Sequence, residues 1–181
     1  MGKEELVACF RDTLEKSYCD SLKQRTERAA ESNRVYREGF VSDAERHGDW
    51  DMPIEVYAGT TFDIARKYRS CRKTAVLNFA NPEYPGGGVQ LGAMAQEECL
   101  CRSSNLFACL NDPNVFDEYY GYHRKLQSSF YSDRLIYTKG VTVCCSGTVW
   151  RQSDRCSYRY FWFRYDNVPA CDGNKSRRTA I

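Results

Sequence analysis

Two neighbouring acids that follow a glycine triplet are the residues of this sequence best suited to act on a ligand. The triplet is Gly86, Gly87 and Gly88, and seven residues separate it from Gln96, Glu97 and Glu98. Glycines have no Cβ, so the backbone can approach a bound group and its N–H groups can point at phosphate oxygens. Acids beside a bound diphosphate would repel it, so we expect Glu97 and Glu98 to face another part of the ligand, such as a ribose hydroxyl or a glycosidic oxygen.

Taken singly, these features have ordinary explanations. A glycine triplet after a proline is often only a flexible turn, and acids in the first turn of a helix complement its dipole. The combination of strand, glycine triplet, acid pair and helix is much more specific. Ligands of α/β folds bind beyond the carboxyl ends of strands, and this loop follows an apolar run that ends at Asn81. We therefore interpret it as a ligand loop.

The elements that must position this loop alternate between helix and strand, which predicts an α/β domain. Residues 3–35 carry apolar side chains at three- and four-residue spacing, which predicts a helix with a break near Cys19 and Asp20. The other predicted elements are a strand over 54–57, a helix over 61–69, a buried central strand over 74–81, a helix from about 96 to 110 stopped by Asn111, Asp112 and Pro113, a partly helical region over 115–131, and a strand–turn–strand unit over 134–143.

Composition narrows the class of protein. The chain has 181 residues, of which 42% are hydrophobic, so it can build the core of one domain. A net charge of +2 gives no reason to expect a nucleic-acid or membrane partner. No apolar run has the length of a membrane span, and the N-terminus lacks the continuous apolar stretch of a signal peptide. We therefore expect a cytoplasmic protein.

The ten cysteines allow a disulfide framework, a metal site or reduced thiols. Without an export signal, reduced and partly buried thiols are the expectation. Cys99 and Cys101 are separated by one residue, and Cys144 and Cys145 by none, so neither is a C-x-x-C pair. This spacing predicts no metal site. We expect Cys99, beside the acid pair, to be a packing residue.

The segment from residue 77 to 105, LNFANPEYPGGGVQLGAMAQEECLCRSSN, resembles the bacterial-type poly(ADP-ribose) glycohydrolases. GGG, seven residues and QEE form their signature, and NFAN before it and CRSSNL after it are similar to the bacterial branch. The resemblance covers residues 1 to about 143. It implies a macrodomain-like three-layer fold with an N-terminal helical extension, no cofactor, and hydrolysis of ribose–ribose O-glycosidic bonds. The implied partners are poly(ADP-ribose), ADP-ribose and ADP-ribosylated proteins.

The resemblance also assigns roles to the site residues. Glu98 is implied to protonate the leaving oxygen and then to help activate water, and Glu97 to hold ribose hydroxyls. The glycine triplet is implied to cradle the diphosphate, and an asparagine to contact the distal ribose. The implied substrate-binding residues are thus Gly86, Gly87, Gly88, Gln96 and Asn81.

After residue 143 the sequence departs from the family, with no strand like DVITCAAPN and no second glycine-rich loop. We expect an incomplete macrodomain over 1–143, with a helical region at 1–50 and an α/β region at 54–143. Residues 144–181 would then be a divergent or out-of-frame tail. Codons for residues 163–168, read one base later, can encode FDMITC, which favours a frameshift. The alternatives to a hydrolase are an ADP-ribose-binding module, an inactive truncated remnant, or a cysteine-based redox or metal protein.

Overall fold

A computed structural model describes residues 2–41, 54–68, 74–126 and 131–144, and the backbone of 161–162. Helices and short strands are mixed in it, in agreement with the predicted α/β class. The helices are α1 Lys3–Ser17, α2 Asp20–Glu31, α3 Thr61–Lys67, α4 Gln96–Ser103, α5 Leu106–Leu110, α6 Pro113–Val115 and α7 Tyr122–Leu126, with a 3-10 helix at Val89–Leu91 and a π-helix at Phe116–Gly121. The strands are β1 Arg34–Tyr36, β2 Leu135–Tyr137, β3 Thr142–Val143 and β4 Phe161–Trp162.

The N-terminal region is two helices, and the predicted break between them is confirmed at Tyr18 and Cys19. The predicted helix was nevertheless too long, because α2 ends at Glu31 rather than near residue 35. Ser32 turns the chain there, with its N–H donating to the carbonyl of Arg28 at 3.1 Å. The chain then pairs as β1 with β2, a contact between distant residues that overrides local helix preference.

Both strands of the predicted strand–turn–strand unit at 134–143 are present, but they do not pair with each other. β2 pairs antiparallel with β1, and β3 pairs antiparallel with β4. The turn between β2 and β3 is tied to the end of α2 instead. Lys139 N donates to Ser32 Oγ at 2.9 Å, and Thr138 Oγ1 donates to Asn33 Oδ1 at 2.6 Å. These bonds direct the two strands to different partners.

The predicted strands at 54–57 and 74–81 are not strands within the described chain. Phe79 is 73% exposed, so the expected burial of segment 74–81 is also wrong, and Ile54 in the other segment is 93% exposed. An apolar run becomes a buried central strand only where neighbours cover both of its faces. Here segment 74–81 packs through Val76 on the core, and its other face, with Phe79, is open.

The predicted helix at 96–110 is interrupted, because β3 docks into its middle. Ser104 bridges to Val143, and Asn105 N donates to the carbonyl of Thr142 at 3.1 Å. The side chain of the fully buried Asn105 then accepts Thr142 N at 2.7 Å. The predicted stop is confirmed: Asp112 accepts the N–H of Asn114, and Pro113 takes the first helical position, where no N–H is needed.

The main core lies between α1, α4 and α5, directly beneath the glycine turn. Phe10 of α1 meets Phe107 of α5 edge to face, with ring centroids 4.9 Å apart. Val89, just after the glycine triplet, is fully buried in the same cluster. The loop of interest is therefore anchored on the core at its C-terminal side. Among the helices that the structure describes, none combines the length and apolar character of a membrane span.

Candidate active site

The glycine triplet forms a tight turn that needs its glycines. Gly87 N donates to the carbonyl of Tyr84 at 3.0 Å, and Val89 N to that of Gly86 at 3.1 Å. Gly86 and Gly87 have φ values of 67° and 53°, a region that favours glycine. A Cβ at Gly86 would lie 2.7 Å from the ring of Phe107. The turn thus lies directly on the core.

Helix α4 places both acids beneath this turn. Glu97 and Glu98 occupy its first turn, where the helix dipole favours negative charge. Glu97 is only 2% exposed and Glu98 only 7% exposed. Carboxyl groups are rarely buried unless they are paired or functional. A solvated helix start therefore does not explain this pair.

The carboxyl group of Glu98 is held by one oxygen only. Its Oε1 accepts the N–H of Gly88 at 2.9 Å. Its Oε2 is buried and has no hydrogen-bond partner among the described residues. A Cβ on Gly87 would lie 2.5 Å from Oε1, so the backbone of Gly87 lies directly against this carboxyl group. The arrangement fixes the orientation of Glu98 and leaves Oε2 without a donor among the described residues.

Both oxygens of Glu97, in contrast, are bound. Oε2 accepts the N–H of Asn81 at 2.7 Å, and Oε1 accepts Nδ2 of Asn78 at 3.3 Å. Burial raises the pKa of Glu97, and the neighbouring charge of Glu98 adds to that effect. The hydrogen bonds from Asn81, Asn78 and the backbone of Gly86 oppose the rise in pKa. Glu97 is thus a well-oriented hydrogen-bonding group.

Gln96 and Asn81 use their side chains to build the loop. Gln96 Oε1 accepts the N–H of Phe79 at 2.7 Å, and its Nε2 donates to the carbonyl of Leu77 at 2.9 Å. Gln96 therefore bonds to a backbone N–H and a backbone carbonyl of the extended segment 77–79, as the backbone of a neighbouring strand would. Asn81 Oδ1 accepts the N–H groups of Glu83 and Tyr84 at 2.9 and 2.8 Å. The contact of Asn81 with a distal ribose stays a prediction.

Two N–H groups of the glycine triplet have partners inside the protein, although glycine N–H groups can also point at phosphate oxygens. The N–H of Gly87 donates to the carbonyl of Tyr84, and that of Gly88 donates to Glu98 Oε1. A phosphate would have to compete with these bonds. The triplet shapes the turn and orients the general-acid candidate. Contact between Gly86, Gly87 or Gly88 and a substrate stays a prediction.

Two buried residues near the site were missed by the sequence reasoning. Arg102 is buried on α4 and its Nη1 donates to the carbonyl of Ala93 at 2.6 Å, which holds the loop before Gln96. Tyr120 is fully buried, and burial followed by the charge of Glu97 raises its pKa. The position of Arg102 four residues after Glu98, one turn further along the same helix, was the available signal for the first. The sequence carried none for the second.

The cysteines near the acids divide by burial. Cys99 is exposed, on the side of α4 that faces away from the core, so it is not the packing residue that the sequence predicted. Cys101 is fully buried, and burial raises the pKa of its thiol well above the usual value, which makes it unreactive. The described ranges contain no group of three or more His, Cys, Asp or Glu residues that could hold a metal ion.

Comparisons with known proteins agree on one family. The family model of the microbial-type PARG catalytic domain, where PARG is poly(ADP-ribose) glycohydrolase, matches residues 5–145. The PARG of Thermomonospora curvata is 32% identical, with a TM-score of 0.61, over 78% of this chain and 56% of that chain. Its complex with the inhibitor ADP-HPD matches with the same identity and TM-score, over 54% of that chain.

A mutant PARG of Deinococcus radiodurans in complex with ADP-ribose is 31% identical, with a TM-score of 0.55. The match covers 67% of this chain and 50% of that one. The present chain thus spans about half the length of the solved structures that it resembles. No curated protein sequence matches it.

Proposed function

This chain belongs to the family of microbial-type PARG catalytic domains, and on that premise we propose that it hydrolyses ribose–ribose O-glycosidic bonds of poly(ADP-ribose) and releases ADP-ribose. The observation that carries the proposal is the buried carboxyl group of Glu98, which has one oxygen bound by Gly88 and the other without a partner among the described residues. Related structures that hold ADP-HPD and ADP-ribose support a ligand of this class.

In the proposed reaction, Glu98 supplies and recovers one proton. Its Oε2 donates the proton to the leaving ribose oxygen while the bond between that oxygen and the anomeric carbon breaks. The resulting carboxylate takes a proton from water, and the water oxygen bonds to the anomeric carbon. The products are ADP-ribose and a polymer shortened by one unit, and Glu98 is protonated again. The N–H of Gly88 keeps the carboxyl group oriented throughout.

Glu97 has the proposed role of holding ribose hydroxyls. The two oxygens of a carboxylate offer about four acceptor positions, and donors from Asn78, Asn81 and the backbone of Gly86 take three of those on Glu97, so one remains. Asn81 would contact the distal ribose from the loop that it caps. The backbone of Gly86, Gly87 and Gly88 would line the substrate side of the turn, and Gln96 would keep the extended segment beside it.

The proposal extends to domain organisation and setting. Residues 1–143 would form the N-terminal part of a PARG macrodomain, with a helical region at 1–50 and an α/β region at 54–143. The family match over 5–145 supports this boundary. Residues 163–168, on which the frameshift hypothesis rests, lie outside the described residues.

The free thiols of Cys19, Cys99, Cys101 and Cys109 support a reducing compartment such as the cytoplasm, where ADP-ribosylated proteins would be the partners.

Hydrolysis of poly(ADP-ribose) by the purified chain tests the proposal, with Glu98→Gln as the matched variant. The glutamine keeps an oxygen that can accept the N–H of Gly88, so the loop is retained while the acid is lost. We expect release of ADP-ribose to slow by a factor of roughly 10² to 10⁴. Titration calorimetry should show that both proteins bind ADP-ribose with similar affinity.

The outcomes separate the alternatives. Release of ADP-ribose that does not depend on Glu98 would contradict the assignment of the acid. Binding of ADP-ribose without release by the wild-type chain would indicate a binding module. Absence of both binding and release would contradict the proposed function itself.

A further inference from the structure

Arg124 connects the site loop to a distant part of the chain. Its guanidinium carbon lies 4.7 Å from the ring centroid of Tyr84 and 4.6 Å from that of Phe116. Its Nε also donates to the carbonyl of Glu83 at 2.9 Å. Glu83 and Tyr84 directly precede the glycine turn, whereas Phe116 begins the π-helix and Arg124 lies in α7. One side chain therefore joins the loop to the π-helix region by three contacts.

The loop that Arg124 contacts carries hydrogen bonds of both acids. Asn81 N donates to Glu97, and the side chain of Asn81 accepts the N–H groups of Glu83 and Tyr84. The carbonyl of Tyr84 in turn accepts the N–H of Gly87, and the next residue, Gly88, donates its N–H to Glu98. A shift of residues 83 and 84 would therefore move the donor to Glu97 and the turn that orients Glu98.

We propose that Arg124 is a positioning residue for the acid pair, acting as a clamp that holds residues 81–84 against the π-helix and α7. The proposal rests on the proposed function for its ligand and deepens it by assigning how the loop is held. Core packing does not hold this part of the loop, because Glu83 and Tyr84 are exposed, Tyr84 at 54%.

The contacts require an arginine. A planar guanidinium can stack on two rings and still donate in its own plane through Nε, whereas a lysine ammonium is a compact charge that cannot do both. A single exposed cation–π contact is weak, but two such contacts and a charge-assisted hydrogen bond act together on one short loop. Lysine should therefore replace arginine only in part.

The test compares Arg124→Met, Arg124→Lys and the control Arg37→Met in the full chain. Arg37 is also exposed and forms an ion pair at 3.4 Å with Glu118, on the same π-helix but away from the loop. Amide hydrogen exchange is measured at Glu83, Tyr84 and Gly87 and compared with exchange in α1. Thermal unfolding and calorimetric titration with ADP-ribose complete the set.

We expect Arg124→Met to speed exchange of the loop amides about tenfold, while exchange in α1 stays at the wild-type rate. Affinity for ADP-ribose should fall about tenfold, which corresponds to about 1.4 kcal/mol. Arg124→Lys should recover part of the affinity, and Arg37→Met should match the wild type in every measurement.

If the loop amides of Arg124→Met exchange at the wild-type rate, the clamp is overturned, regardless of the affinity for ADP-ribose. Equal acceleration in the loop and in α1 would also overturn it, because the effect would then be a general loss of stability. A looser loop with wild-type affinity would show that the loop does not position the acids. If the wild-type chain binds no ADP-ribose, the proposed function fails, and selective loosening of the loop still supports the clamp.

Discussion

Substitution of Gly87 by alanine should damage both the fold and the site, and the structure gives the size of the effect. Gly87 has a φ of 53°, and a left-handed conformation costs a non-glycine residue about 1–2 kcal/mol. The new Cβ would lie 2.5 Å from Glu98 Oε1, so the carboxyl group must move and lose its bond to Gly88. Loss of a hydrogen bond that leaves a buried donor without a partner costs about 1–3 kcal/mol. The free energy of unfolding should therefore fall by about 3 kcal/mol in total.

Gly140→Ala is the matched control for this variant. Gly140 has a φ of 78°, and a Cβ there would meet no described atom within 4 Å. The free energy of unfolding of Gly140→Ala should fall only by the cost of the left-handed backbone conformation, about 1–2 kcal/mol. Urea unfolding followed by circular dichroism measures both values, since a single glycine change leaves the slope against urea unaltered. Hydrolysis of poly(ADP-ribose) should fall at least about a hundredfold in Gly87→Ala, because the displaced acid no longer faces the leaving oxygen, and should persist in Gly140→Ala.

Equal losses of stability in the two variants would refute this reasoning, because they would show that a side chain at position 87 does not displace Glu98. Wild-type hydrolysis by Gly87→Ala would refute the link between the turn and the acid, even if the stability values agreed with expectation.

Two further predictions concern buried polar groups. Burial raises the pKa of Glu97 above its usual 4.5, so the folded chain holds this proton more tightly and the corresponding stability is lost as the pH rises from about 4.5 through the raised pKa. Urea unfolding between pH 4 and 8 should show that the free energy of unfolding falls less in Glu97→Gln than in the wild type. Equal falls in the two proteins would contradict the raised pKa of Glu97. The hydroxyl of Tyr120 is buried with no partner among the described residues, so Tyr120→Phe should stabilise the chain by about 1 kcal/mol. Calorimetry should then show a higher Tm, and a destabilisation of that size would mean that the hydroxyl is bonded.

The accuracy of the sequence predictions depended on how local the responsible contacts are. The helix break near Cys19 and the stop at Pro113 were correct, because helix periodicity and capping residues act within one or two turns. The partner of β2 could not be predicted from the local sequence, because the bond from Lys139 to Ser32 holds this strand near the distant strand β1. The interruption at Asn105 was missed because its partner, Thr142, lies 37 residues away.

In the candidate site, too, features set by residues close in sequence were predicted and those set by distant residues were not. The spacing of the triplet and the acid pair identified the loop and the family, because both depend on residues that are close in sequence. The same pattern allows the glycine N–H groups to face a phosphate, whereas the structure uses those of Gly87 and Gly88 inside the protein. Residue types show that a donor exists, but its partner depends on how the turn is placed on α4.

The sequence by itself determined the family, the loop at 85–98 and the identity of the acid candidates. These follow from short-range patterns, which any chain with the same local spacing would show. Only the tertiary structure decided which oxygen of Glu98 has a protein donor and which has none among the described residues, and that Arg124 reaches Glu83 from 41 residues further along the chain. Hydrogen bonds and ring contacts act over a few ångströms, so they depend on proximity in space, and folding alone brings such distant residues together.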